Sequence, residues 1–428
     1  MKAKSIFLSL LLAVVMLQGC GSKSSSSSSS VTNGSVRLVN ATTAYASLDL
    51  ITSGTTFASA VATGSASAYA SITPATYTFS LDISGSGVPA AQQTLLISSG
   101  VNYALVAHTV RGQLQLEQLT EMEPAPASGD GKIRVSNLAL QDTGAVDVYM
   151  TGSGGTLAGA SVLVTNFSTS GYFEVPQGTY HIWVTGVGNK ADLRLDLPSV
   201  AIANQQIQTL VLTSTTGGAL VDGWLVSQAG AVIQQANASA RIRVAANISA
   251  SGTISATANS VALDSSTLMS PAVDSYVLVP AGPLSLSVVV SGTTVNVPSL
   301  TAAPGADLTL LAVGTVAAPK FVLLSDDNTL PLGGKAKLRL VNGVNGLASP
   351  GNVALTVDAN LVAQNVLPGT ASTAATIATT GNPSSLQVSV QGNPPPPQSS
   401  LTLQSQGVYS VFELGDNAAL VGIVRADR

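Results

Sequence analysis

Val36-Arg37-Leu38-Val39-Asn40 sets one arginine inside a short aliphatic, β-branched run and closes it with asparagine. The pattern returns three times. It reads Ile133-Arg134-Val135-Ser136-Asn137, then Ile242-Arg243-Val244-Ala245-Ala246-Asn247 with one residue more, then Leu338-Arg339-Leu340-Val341-Asn342. Successive arginines stand about 100 residues apart, the length of one β-sandwich. A repeat of that length encloses its own core, so the chain reads as tandem domains, beads on a string, and not as turns of a solenoid.

Other landmarks keep their offsets. Leu48-Asp49-Leu50-Ile51 and Val146-Asp147-Val148-Tyr149 follow the first two arginines. Tyr69 and Tyr77 of the first copy correspond to Tyr172 and Tyr180 of the second and to Tyr276 and Leu284 of the third, with Pro74, Pro176 and Pro280 in the turns between. Gly100-Val101-Asn102-Tyr103 and Gly407-Val408-Tyr409 lead into apolar runs near the ends of the first and fourth copies. Tyr77-Thr78-Phe79-Ser80-Leu81-Asp82-Ile83 alternates apolar and polar, as do Tyr180-His181-Ile182-Trp183-Val184 and the runs from Leu284 and Leu386. Period two with Val, Ile, Thr and Tyr marks half-buried strands. Turn residues recur roughly every 8–12 positions, as in a sandwich of about seven strands, and no stretch carries capped helical periodicity.

The expected architecture is therefore all-β: four immunoglobulin-like sandwiches over 35–120, 131–228, 241–325 and 336–428. Connectors rich in Pro, Gly and polar residues separate them: Glu121–Gly131, Ser227–Ala240 and Ser325–Gly334. Pro394 to Pro397 cannot donate to a strand ladder and should form a polyproline loop inside the fourth copy.

The second copy resembles the family known as domain of unknown function 4397. The matching features are Ile133-Arg134-Val135, Ala145-Val146-Asp147-Val148-Tyr149, and Tyr172-Phe173-Glu174-Val175-Pro176-Gln177-Gly178-Thr179-Tyr180. The first copy shares Leu48-Asp49-Leu50 and the stretch from Tyr69 to Tyr77, whereas Ser255 and Ala354 replace the aspartate in the third and fourth. The resemblance implies extracytoplasmic β-sandwiches, often in tandem on bacterial surface or secreted proteins, with no established activity and no catalytic residues.

At the N-terminus Lys2 and Lys4 precede 12 mostly apolar residues, Ile6 to Leu17, and then Gln18-Gly19-Cys20. This resembles the lipobox of bacterial lipoproteins, which implies cleavage of a signal peptide over 1–19 and acylation of the Cys20 thiol, with palmitate among the acyl groups. Residues 20–34, with seven serines from Ser24 to Ser30, would then tether the first sandwich to its lipid. Twelve apolar residues fall short of the ~20 that span a bilayer. Two or more acyl chains hold stably at a membrane surface. In a Gram-negative source, Gly21 in place of aspartate implies sorting to the outer membrane.

Only 9% of residues are charged, the net charge is −4 and no basic patch exists, which argues against nucleic acid as a partner. With one cysteine there is no disulfide to expect, so apolar cores must supply stability. His108 and His181 lie in different copies, and zinc sites need several ligands at short spacing. Neither a Gly-x-Ser-x-Gly elbow nor a phosphate-binding glycine pattern occurs. Asp326-Asp327-Asn328 lacks the spaced ladder of a calcium loop and reads as an inter-domain turn. No enzymatic activity, metal or cofactor is expected.

Two features point to contacts. Each recurring arginine faces away from its apolar neighbours, so Arg37–Asp49 and Arg134–Asp147 are expected as cross-strand ion pairs that fix register. Trp183 points away from Ile182 and Val184, and with Tyr149 it should present aromatic surface to a sugar or to the next domain. The expected function is that of a non-enzymatic, lipid-anchored envelope protein, a structural or adhesion-like interaction module. The competing expectation is carbohydrate binding or processing at the envelope. Expected partners are the membrane through Cys20, and envelope proteins or glycans.

Overall fold

The computed structural model describes residues 32–348, 351–390 and 399–428. Cys20, the serine tether and Pro394–Pro397 lie outside the described residues. Each copy is a β-sandwich around its own apolar core.

In the first copy the strands are β1 (Gly34–Asn40), β2 (Ser47–Thr52), β3 (Thr55–Ala62), β4 (Ala70–Ile72), β5 (Ala75–Ile83), β6 (Pro89–Ile97), β7 (Asn102–Val110) and β8 (Gln113–Thr120). One sheet has the order β4-β1-β7-β8 and the other β3-β2-β5-β6. β1 runs parallel to β7, and the remaining neighbours are antiparallel. A parallel pair requires a long crossover, which here is the whole second sheet. Val36 and Leu38 of β1 enter the core beside Leu50, Phe79 and Leu81, as the alternation predicts.

The other copies repeat this plan. Asp130–Asn137 lies parallel to Ile207–Ser214, Ser239–Ile248 to Asp307–Thr315, and Lys335–Asn342 to Val408–Asp416. Among the described residues the helix content is one turn, Leu140–Thr143.

The copies are not beads on a string. Val39, Val106 and Leu119 of the first copy pack on Val211, Trp224 and Val226 of the second. Ala245 and Leu311 of the third pack on Val341, Phe412 and Leu414 of the fourth. The arginine-bearing sheets thus meet face to face, first with second and third with fourth. A sheet that is apolar on both faces must be covered on both.

The two pairs are also joined to each other. Leu330 N–H donates to the Asp142 carbonyl at 2.8 Å, and Arg428 Nη1 donates to the Gly218 carbonyl at 3.0 Å. Gly218 adopts φ +82°, and a Cβ there would stand 2.2 Å from the Thr329 nitrogen. The stretches that composition marks as connectors contribute single buried groups to the joints: Glu121, Asp326 and Asn328 all lose most of their exposure.

Candidate functional site

The four recurring arginines are the most distinctive polar groups of the molecule. Arg37, Arg134, Arg243 and Arg339 are 2%, 7%, 1% and 6% exposed, held between the paired sheets. A buried guanidinium must occupy its donors. Its Nε reaches the hydroxyl directly opposite on the parallel strand: Arg134 to Thr209 at 2.8 Å, Arg243 to Thr309 at 2.9 Å and Arg339 to Ser410 at 2.9 Å. The first copy has Ala104 opposite, and Arg37 Nε donates instead to Glu121 Oε2 at 2.7 Å.

The outer nitrogens cross to the facing copy. Arg37 donates to the carbonyls of Ser227 at 2.8 Å and Gly230 at 2.6 Å, while Arg134 donates to that of Thr120 at 2.9 Å. Arg339 reaches the Ser325 carbonyl at 3.1 Å, and Arg243 reaches Ser410 Oγ at 2.9 Å and the Asp427 carboxylate. Tyr69, Tyr172 and Tyr276 lie with ring centroids 5.4, 4.7 and 4.5 Å from the guanidinium of their own copy. Recurring tyrosine and recurring arginine are therefore one structural unit. Asp326 accepts from Thr309 Oγ1 at 2.6 Å and from Tyr276 Oη at 2.5 Å. Arg339 Nη2 lies 2.5 Å from its Oδ1 as an ion-pair contact without hydrogen-bond alignment. Burial, with Asp326 beside it, pushes the Tyr276 hydroxyl well above the usual phenol range.

The expected pairs Arg37–Asp49 and Arg134–Asp147 do not form. Asp49 lies on β2 and Asp147 on Val146–Gly152, both in the sheet that carries no recurring arginine. Stacked sheets stand about 10 Å apart, and the two side chains leave opposite outer faces. Asp49 accepts from Ala60 N–H at 2.6 Å and Ser84 Oγ at 2.7 Å, and Asp147 accepts from Gly188 N–H at 2.8 Å and from Thr165. These carboxylates hold turns and bulges of their own sheet.

Trp183 and Tyr149 face outward as alternation requires, and they sit directly opposite each other on neighbouring strands. Yet they are only 4% and 6% exposed, because the loop carrying Leu157 and Ala160 folds over them. Lys190 Nζ lies 4.9 Å from the Tyr149 ring centroid and donates to the carbonyls of Ala158 at 3.1 Å and Ala160 at 2.8 Å, clamping that loop. His181 stacks on Trp183 at 3.7 Å and meets Asp196 at 2.5 Å. The expected aromatic platform is thus covered by its own copy, and sequence spacing gave no sign of the loop's path. Trp224 is the tryptophan that meets another domain.

His108 shares the paired face of β7 with Val106, and burial lowers its pKa to about 4, leaving the imidazole neutral. Among the described residues, clefts lie at the joints. One of about 730 Å³ between the third and fourth copies is lined by Val313, Lys320, Leu347, Pro368 and Asp416 among others. A second, of about 470 Å³, lies where parts of three copies and the connector before the fourth converge. Its charged groups are mutually engaged: Lys337 Nζ donates to Asp327 at 2.8 Å, and Asp142 accepts from Arg111 N–H at 3.0 Å and Ser214 Oγ at 2.8 Å. Among the described residues no group of three or more His, Cys, Asp or Glu is placed to hold a metal ion. No described helix is long and apolar enough to cross a membrane.

The family described as "Domain of unknown function (DUF4397)" matches residues 34–149 and 240–346, one stretch within each face-to-face pair. No curated protein matches the chain. Among solved structures, the Bacillus anthracis TIE protein is 8% identical, over 86% of this chain and 65% of that one, with a TM-score of 0.15. The chain thus spans just under two thirds of that protein's length. A streptococcal ancillary pilin is also 8% identical, over 64% of this chain and 96% of that one, with a TM-score of 0.14.

Proposed function

The chain belongs to the DUF4397 family, and from that premise we propose that it is a non-enzymatic, lipid-anchored protein of the cell envelope that serves as a structural or adhesion-like interaction module. The observation that carries this reading is the face-to-face pairing of its sandwiches. Hinged beads would give reach without orientation. Four copies locked through buried arginines and apolar faces hold their outer surfaces in fixed relation, which suits a spacer or a display platform. Acylation of Cys20 would fix that body to a membrane, the outer membrane in a Gram-negative source. Its partners would be the lipid bilayer, envelope proteins or glycans. A glycan would have to use a surface other than Trp183 and Tyr149, which lie beneath their loop.

Comparing wild type with Cys20→Ser on intact cells tests this reading. The expected result is an acylated, membrane-bound wild type and a released variant, with protease accessibility reporting the face displayed. Recovery of wild type from the soluble fraction, unacylated and with residues 1–19 still attached, would overturn it.

A further inference from the structure

The fourth copy departs from the others at one core position. Three residues beyond the position opposite each recurring arginine, the parallel strand carries Ala107, Leu212, Ala312 and Glu413 in turn. The first three sit in apolar cores. Glu413 is 1% exposed, and its Oε1 has no hydrogen-bond partner among the described residues.

Directly across the hairpin from Glu413 is Gly422, where the first and third copies have Leu116 and Phe321. The second copy also has a glycine there, Gly223, but Leu210, Leu195 and Gln235 crowd the space above it. In the fourth copy a cavity of about 200 Å³ remains, walled by Leu386, Val388, Val411, Leu420 and Val424 around the Glu413 carboxyl. Its mouth lies between Ser399–Thr402 and Ala419–Ala426, the edge strands of the two sheets, where Ser399 and Gly422 are exposed.

We propose that this cavity is a binding site for a small aliphatic amine, its alkyl chain against the leucines and valines and its ammonium on the Glu413 carboxylate. The chemistry follows from the walls. An isolated carboxylate among aliphatic side chains is costly, and a cation is the partner that offsets the cost best. Desolvation raises the Glu413 pKa to about 7, so both protonation states are accessible near neutrality. Among the described residues no other ionisable side chain lines the cavity, so charge selectivity rests on Glu413. An apolar cavity of about 150 Å³ holds benzene, so this one has room for a chain of about six carbons.

Titrating hexylamine, hexanol and hexanoate into the full chain at pH 8 tests the site by calorimetry, with methyl resonances of Leu386 and Val411 as reporters. Hexylamine should bind roughly tenfold more tightly than hexanol, and hexanoate should not bind. That preference should shrink at pH 5, where the carboxyl is protonated. Glu413→Gln should equalise hexylamine and hexanol, and Gly422→Leu should block both. Equal affinity for amine and alcohol at pH 8 in wild type, or no perturbation of the two methyl groups by hexylamine at about 10 mM, would overturn the assignment. So would an amine preference that survives Glu413→Gln.

Discussion

Arg37, in the opening strand of the first copy, donates a 2.8 Å hydrogen bond to the carbonyl of Ser227, at the close of the second. Arg134 of the second copy returns the contact to Thr120, at the close of the first, at 2.9 Å. Arg339 and Arg243 trade contacts with Ser325 and Asp427 in the same sense. Residue i meeting j while j's counterpart meets i's is the logic of an isologous dimer, here built twice within one chain.

Asp326 collects Thr309, Tyr276, Arg243 and Arg339 at the third–fourth interface. Asp326→Asn removes the carboxylate from the buried Arg339 and leaves Arg243 with Asp427 alone, and should cost about 3–5 kcal/mol. Urea unfolding measures this. A loss below about 1 kcal/mol would show that the network does not hold the interface.

Trp224 is completely buried between the first and second copies, with Nε1 donating to Thr213 Oγ1 at 2.8 Å. Trp224→Ala should cost about 3–5 kcal/mol through lost contacts and the cavity left behind. Hydrogen exchange should accelerate first in β1 of the neighbouring copy, because Val39 loses its cover. Unchanged exchange in β1 would mean that the two copies do not depend on each other.

The neutral His108 has a folded pKa of about 4 against an ordinary value of 6.5. The unfolded chain takes up the proton first, so this residue's contribution is complete above pH 6.5 and is lost as pH falls towards 4. The amount is on the order of 3 kcal/mol. His108→Leu should remove that part of the acid sensitivity, read as the difference between wild-type and variant unfolding free energies across the window. A difference that does not change with pH would contradict it.

Glu413 has the opposite sign. Its folded pKa of about 7 lies above the ordinary 4.5, so its contribution is complete below pH 4.5 and is lost as pH rises through 7. Glu413→Leu should therefore gain stability over wild type on moving from pH 4 to pH 8, by on the order of 3 kcal/mol. A gap that narrows over that range would refute the burial of an uncompensated carboxyl. The two windows overlap with opposite slopes, so in wild type these two contributions largely offset each other and only the single variants separate them.

The four sandwiches and their inward residues were legible in the chain because alternation is a local property. Val36 and Leu38 against Arg37 and Val39 divide a strand into two faces whatever lies beyond it. Thr209, Thr309 and Ser410 were also readable as recurring hydroxyls, but their meaning depended on a parallel pairing 75, 66 and 71 residues away from the arginines. Trp183 shows the same limit, since its outward direction was correct and the loop above it had no periodic signal.

What the sequence determined by itself is which side of each strand avoids its own core. Whether that side meets water or another domain was decided by tertiary structure, because the answer lies in the match between two distant surfaces. Val39, Trp224 and Phe412 are apolar enough to require a cover. Only the docking of one sheet on another brings Ser227 and Gly230 to Arg37, satisfies donors that the Glu121 carboxylate leaves open, and turns a string of domains into one body.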